Sequence, residues 1–576
     1  MTPTPTAPGR LVRKGDFATL SEALDYAAQQ ETGINVHSLK GELVEVLPYS
    51  RLREQSLALA GRLLASGLEP GDRVMLAAES DGDFLRAFFA CQYAGLVPAP
   101  TPLPAPFGGK NAYVEHVRRM LIAAGARAVF APDALSEWLR EAAEGLDLAV
   151  AGRLADLPEA GATPLPAPDP DGLCYLQFSS GSTRFPMGVA VTQSALMANV
   201  RAIGGPGLGV HAGDRTVTWL PLYHDMGLVG MLLCSVGFQV SVDLLPTGAF
   251  VRRPLLWLDL ISSRRGTISY APTFGFDLAV RRVGAANLAQ MDLSSWRVAG
   301  LGGDMIRPEP LRAFAQAYAE AGFDPRAFTA SYGMAEATLA LSLTPVGQGL
   351  RTDIADMDRL EAEALAAPPA ATATRRREFA LCGRPLEGHE LEVRDAAGCV
   401  RVEREVGRVF ARGPSLMKSY FGAPDETAKV LSPDGWLDTG DLGYVLDGEI
   451  VITGRAKDLI IVNGRNVWPQ DLEWTAEREV EGLRSGDVAV FSLTETDHEE
   501  RVVALVQCRT RDADARASLE TEISGLLRAR HGLEVKVVLT PPHSLPQTSS
   551  GKLSRSRAKA LYASGAFTGE VEAIRA

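Results

Sequence analysis

The chain has 576 residues, 46% hydrophobic and 22% charged, a balance that suits a globular protein and excludes a disordered or fibrous one. Its formal net charge of -12 argues against nucleic acid or an anionic membrane surface as partner, because both need clustered Lys and Arg. The six cysteines, at 91, 174, 234, 382, 399 and 508, lack zinc-ligand spacing and read as reduced, buried thiols.

Residues Met1 to Gly9 are rich in Thr and Pro and lack the apolar run of a secretion signal, so a frayed start and a cytoplasmic location are expected. From about residue 55 to 340, helical patterns alternate with short apolar runs such as Arg73 to Ala78, Ala128 to Ala131 and Leu173 to Phe178. That alternation predicts an α/β fold of helix-covered, parallel β-sheets. The Pro-rich stretches Leu96 to Pro106 and Pro164 to Pro170 read as surface connections. The apolar stretch Gly227 to Val242 is too short to span a bilayer and is broken by Gln239. It reads as a core helix and strand, and no membrane span is expected.

Between Gly347 and Phe379 the pattern turns polar and Ala-rich and ends near Arg375-Arg-Arg377, which reads as an insertion, either a mobile surface loop with a short helix or a functional segment. After residue 455 the strand-like runs 487–493, 501–507 and 535–539, with a helical 515–530, predict a small α+β domain of about 120 residues. The expected division is therefore 1–455 and 456–576.

Ser179, Ser180, Gly181, Ser182 and Thr183 follow directly on the run ending at Phe178, placing a hydroxyl- and glycine-rich loop at a strand's carboxyl end. Backbone N–H groups and hydroxyls so placed can cradle a phosphate, although the Gly-Lys-Ser/Thr of a Walker loop is absent. This loop opens an ordered series: Ser179 to Gly188, Leu220-Pro-Leu-Tyr-His-Asp-Met-Gly227, Gly302-Gly-Asp304, Ser331-Tyr-Gly-Met-Ala-Glu336, Gly435 to Asp441, Gly454-Arg-Ala-Lys-Asp458 and Ser549-Ser-Gly-Lys552.

The series resembles the adenylate-forming superfamily of acyl-CoA synthetases, peptide-synthetase adenylation domains and luciferases. The resemblance implies a large N-terminal adenylation domain and a small, mobile C-terminal domain using ATP and Mg²⁺. By that resemblance Asp441 and Arg455 hold the ribose, Tyr332 stacks on adenine with Gly302, Gly303 and Asp304 as the opposite wall, and Ser331, Gly333, Met334 and Ala335 complete the nucleotide pocket. Glu336 binds Mg²⁺ as a hard oxygen ligand. Lys552 neutralises charge on the substrate carboxylate and α-phosphate. Lys457 falls at the hinge about which the small domain rotates.

The family's loop usually runs Thr-Gly-x-Pro-Lys-Gly, whereas this chain has Thr183-Arg184-Phe-Pro186-Met187-Gly188. The loop lysine is missing, and Arg184 supplies the charge instead, as in fatty acyl-AMP ligases. Tyr223 to Leu228, Gly464 to Asp471 and the position of the insertion resemble the same branch. They imply a medium- or long-chain fatty acid as substrate, His224 as a gate to its tunnel, an insertion that packs against the body and disfavours thioester formation with CoA, and the phosphopantetheine arm of an acyl carrier protein as acceptor. Alternatives are a CoA ligase, a silent nucleotide-binding module and a luciferase-like oxygenase.

Overall fold

The computed structural model describes residues 13–104, 109–161, 163–179, 186–284, 288–462, 465–494, 500–547 and 552–567. Among these, the largest sheet has nine strands in the order Arg384–Pro385, Ala340–Leu343, Phe328–Gly333, Val298–Leu301, Ile268–Ala271, Arg215–Thr218, Ser241–Leu244, Gly33–His37, Leu43–Pro48. The six strands from Phe328–Gly333 to Gly33–His37 pair in parallel, and the edges turn antiparallel. A second, all-parallel sheet runs Val97–Thr101, Arg73–Ala77, Ala128–Phe130, Val150–Gly152. This is the expected helix-covered α/β architecture.

Behind the parallel strands lies an aromatic core. Trp257 meets Phe276 edge-on at 5.3 Å and Trp296 at 5.2 Å, and Phe314 meets Phe276 at 5.0 Å. Each such pair adds about 0.5–1.5 kcal/mol beyond its buried area. The indoles are also satisfied: Trp257 Nε1 donates to Ser269 Oγ at 2.8 Å and Trp296 Nε1 to the Val298 carbonyl at 2.7 Å. These contacts brace the strands whose carboxyl ends carry the candidate site, the end at which parallel sheets bind ligands.

Several expectations need correction. The Pro-rich run after Leu96 contains a fully buried strand, Val97–Thr101. It forms the edge of its sheet, where Pro98 and Pro100 cost no ladder bond on the open side. Leu173–Ser179 pairs antiparallel with Met187–Thr192 in a separate three-stranded sheet, not in a parallel one. Cys399 is exposed, whereas the other five thiols are buried.

The insertion is an ordered unit and not a mobile loop. Strands Thr352–Asp356 and Arg376–Ala380 pair antiparallel around helix Met357–Glu363, whose N-cap Asp356 accepts from Asp358 N and Arg359 N. Met357, Leu360 and Phe379 share a buried cluster with Tyr444, Val451 and Trp468. The Tyr444 hydroxyl donates to Asp353 at 2.7 Å, and Arg404 donates to both oxygens of the same carboxylate at 3.1 Å. Apolar burial and these bonds offset the ordering entropy that the polar composition suggested would win.

Beyond residue 460, helices Pro469–Glu479, Ala513–His531 and Arg555–Ala563 pack on strands Val488–Thr494, Glu500–Gln507 and Val535–Thr540. Leu472, Val490, Ile523 and Leu527 form one buried cluster there, and Phe491, Leu505 and Ala558 another. Glu477 lies where this unit meets the main body: its carboxylate accepts from Gly486 N at 2.6 Å and stands 3.9 Å from Arg307. Burial first, then the Glu473 charge, pushes its carboxyl up from 4.5 to about 8. The folded state therefore holds a proton that the unfolded chain releases above pH 4.5. Stability from this group is fully present below that value and is lost as pH rises to 8. Glu477→Gln is expected to flatten the decline of Tm between pH 5 and 8, measured by calorimetry. An unchanged slope would assign the decline to other groups.

Candidate active site

Three strands bring together residues far apart in the chain. Phe328–Gly333 delivers Tyr332, while Leu437–Leu446 and Glu449–Arg455 pair so that Asp441 and Arg455 are direct register partners. The Tyr332 hydroxyl donates to Asp441 Oδ2 at 2.8 Å, and Arg455 Nε lies 3.3 Å from Oδ1. Asp441 N–H donates to the Thr439 hydroxyl at 3.1 Å, which fixes the turn of the strand. Asp441 is 7% exposed, and burial pushes its pKa up against the opposing charge of Arg455. The guanidinium is correspondingly held above its ordinary range by Asp441.

Past Tyr332 the chain turns back on itself. Gly333 packs against the Leu339 carbonyl so closely that any side chain would collide with it. Met334 N donates to that carbonyl at 2.8 Å. After the short turn Ala335–Ala337, Leu339 N donates to the Ala337 carbonyl at 2.8 Å across Thr338, whose φ of 68° and ψ of -54° define a γ-turn. This conformation is rare and strained for a non-glycine residue, costing on the order of 1–3 kcal/mol. The turn Ala335–Ala337 just before it carries Glu336, whose Oε1 accepts from the Tyr420 hydroxyl at 2.8 Å and whose carbonyl accepts from Met417 N at 2.7 Å. Burial pushes the Glu336 carboxyl up, so a bound cation would relieve its desolvation. Among the described residues no three His, Cys, Asp or Glu side chains form a cage. A metal at Glu336 would take its other ligands from phosphate and water, which suits Mg²⁺.

The segment after Leu220 forms the facing wall. Gln177 Nε2 donates to the Tyr223 carbonyl at 2.6 Å, and His224 Nδ1 lies 2.7 Å from Asp225 Oδ1. Met226 N also donates to that oxygen, at 2.7 Å, starting a wide, π-type helix Met226–Leu233, a geometry frequent at functional sites. The Met226 thioether packs over Gly302 and Gly303, and the Ser331 hydroxyl donates to the Leu301 carbonyl at 2.7 Å beside them. Burial alone would raise the Asp225 carboxyl, but His224 and then Lys552 hold it below its ordinary value. Lys552 acts on Asp441 as well, so its ammonium is electrostatically coupled to both walls of the site.

Lys457 is exposed, and packing together with the Arg455 charge lowers its pKa. Asp304 is exposed and accepts from Met305 N at 2.8 Å. Ser179 ends its strand, and Ser180 to Arg184 lie outside the described residues. Asp225 and Tyr420 carry site interactions that sequence reasoning did not assign. Asp225 stood within a quoted motif, but Tyr420 offers no local signal, because only strand pairing brings Ser419–Tyr420 beside Met187–Thr192.

The insertion adjoins this site and grips the C-terminal unit. Arg377 donates to Asp471 at 2.8 Å, and the buried Glu361 accepts from Arg375 and from Arg465, each at 3.0 Å. A cleft of about 620 Å³ follows the seam, lined by Glu361, Arg375, Arg465 and His531 among others.

The sequence signature of the AMP-binding enzyme family matches residues 28–421. The chain belongs to that family. This AMP-binding enzyme is 59% identical over 564 residues to a Caulobacter vibrioides protein provisionally named an acyl-CoA synthetase, with 98% of each chain covered. It is 31% identical over 574 residues to the medium-chain-fatty-acid–[acyl-carrier-protein] ligase JamA of Moorena producens, with 96% of each covered. A solved structure from work on fatty acyl-adenylate ligases of E. coli and L. pneumophila superposes with a TM-score of 0.92 at 43% identity, covering 96% of this chain and 99% of that one. The adenylate-forming fold is thereby shown. Among the described residues, no helix is long and apolar enough to cross a membrane.

Proposed function

We propose that this enzyme activates a fatty acid with ATP, forming acyl-AMP and pyrophosphate, and passes the acyl group to the phosphopantetheine thiol of an acyl carrier protein. The convergence of Tyr332, Asp441, Arg455 and Lys552 supports the first half-reaction. The fatty carboxylate attacks the α-phosphorus, the bond to pyrophosphate breaks, and no protein nucleophile is needed. Tyr332 flanks the base, Asp441 and Arg455 take the ribose hydroxyls, and Lys552 stabilises charge between carboxylate and α-phosphate. Bound through Glu336, Mg²⁺ supplies charge neutralisation at the phosphates. His224 gates the acyl channel, Ser179 to Arg184 cradle the phosphates, and Lys457 is the hinge between units 1–455 and 456–576.

The observation that favours a carrier protein over CoA is the similarity along nearly the whole chain to an acyl-carrier-protein ligase. Arg377–Asp471 and Glu361–Arg465 tie the C-terminal unit to the insertion while Lys552 faces the site, and this favours the adenylating arrangement over the rotation that any thiol transfer requires, so that acyl-AMP is released slowly to its acceptor. A CoA ligase is the second reading, favoured by the name of the Caulobacter relative. Mass spectrometry of the products from ATP, Mg²⁺ and dodecanoic acid, with CoA and a phosphopantetheinylated carrier protein in one tube, separates the two. Acyl-AMP and acylated carrier without acyl-CoA are expected. Abundant acyl-CoA from the unaltered enzyme would establish the second reading.

A further inference from the structure

The short turn that carries Glu336, and the strained Thr338 that follows it, are held by side chains from other segments. Thr338 is wholly buried, and its hydroxyl donates to the Ser415 carbonyl at 2.7 Å. The Ser415 hydroxyl, also wholly buried, lies 3.0 Å from the Ala337 carbonyl and 2.6 Å from His389 Nε2, and accepts from Asn199 Nδ2 at 3.2 Å. Asn199, on helix Gln193–Ala202, further grips the return strand: its Nδ2 donates to the Ala340 carbonyl at 2.8 Å and its Oδ1 accepts from Ala340 N at 3.1 Å. His389 is fixed by its own turn, with Nδ1 3.0 Å from the Glu387 carbonyl and the ring packed so tightly on Gly413 that a side chain there would collide. Two residues beyond Ser415, Met417 N donates to the Glu336 carbonyl.

We propose that Ser415, Asn199, His389 and Thr338 are positioning residues for Glu336, forming a buried polar clamp that holds the γ-turn and so aims the carboxylate at the metal. The inference rests on the reading of Glu336 as the Mg²⁺ ligand. Its physical basis is that a φ of 68° at a threonine persists only when its surroundings over-determine it, and three hydrogen-bonding side chains from three other segments, with the hydroxyl of Thr338 itself, do so here. Outer-shell partners of this kind tune metal affinity without touching the metal.

Mn²⁺ is the probe. In enzyme held with stoichiometric α,β-methylene-ATP, loss of the free Mn²⁺ EPR signal beyond that caused by the nucleotide alone reports binding at the site, with no turnover. Ser415→Ala is expected to raise the apparent Mn²⁺ Kd by roughly 10- to 100-fold, while nucleotide affinity measured by calorimetry in EDTA stays as in the unaltered enzyme. Thr338→Val, of equal size, should lose metal affinity similarly, and Thr338→Ser, which keeps the hydroxyl, should retain it. If Ser415→Ala does not fold, the Thr338 pair decides the matter. Glu336→Gln is the reference. If Glu336→Gln leaves Mn²⁺ binding intact, the metal assignment fails and the clamp with it. If Glu336→Gln weakens binding but Ser415→Ala and Thr338→Val do not, the assignment stands and the clamp alone is overturned.

Discussion

Lys552→Ala is expected to slow adenylate formation by roughly 10²–10³, the usual cost of deleting a donor aimed at charge that develops in the transition state. Nothing in the proposed chemistry supplies covalent help, so the barrier is to be lowered by position and field, and Lys552 is the cation proposed to supply that field. Its placement explains why: Lys552 acts electrostatically on Asp225 on one wall and Asp441 on the other. ATP affinity, read by calorimetry, should be preserved, since the ribose contacts lie on separate strands. Pyrophosphate exchange at the unaltered rate in Lys552→Ala would remove the residue from the mechanism.

Asp441→Ala should act at the opposite end of the reaction. The carboxylate is buried, accepts from Tyr332 and faces Arg455, and each such charge-assisted bond is worth about 1.5–3 kcal/mol. Losing the equivalent bonds to two ribose hydroxyls weakens ATP binding by about 3 kcal/mol or more, on the order of 10²-fold. A buried tyrosine hydroxyl and a guanidinium also lose their partner, so Tm should fall with affinity. Asp441→Asn, which keeps one acceptor oxygen, should show a smaller loss. Calorimetric titration with ATP measures both, and affinity like that of the unaltered enzyme in Asp441→Ala would dismiss the ribose assignment.

The local patterns at Arg73–Ala77 and Ala128–Phe130 were legible as strands because apolar, β-branched runs bounded by turns have few other uses. The Val97–Thr101 strand was hidden by its prolines, whose tolerance depends on a sheet edge that only the assembled sheet defines. The insertion was ambiguous for a related reason. Its polar, Ala-rich composition suggests mobility, yet Asp353, Glu361 and Arg377 find partners at Arg404, Arg465 and Asp471, up to 104 residues away.

The ordered motifs placed this chain in its family from sequence alone, because each spacing within a motif is local and survives without knowledge of the fold. That Tyr332 meets Asp441 across 109 residues was decided by strand order, and that Asp441 faces Arg455 was decided by the register of one hairpin. Tyr420, Ser415, His389 and Asn199 carry no signal in the sequence, since a hydroxyl, an imidazole or an amide acquires its role from what lies within 3 Å of it. Which residues could do chemistry was therefore written locally. Which of them hold one another in place depended on contacts between distant segments, and those exist only once the chain has buried its core.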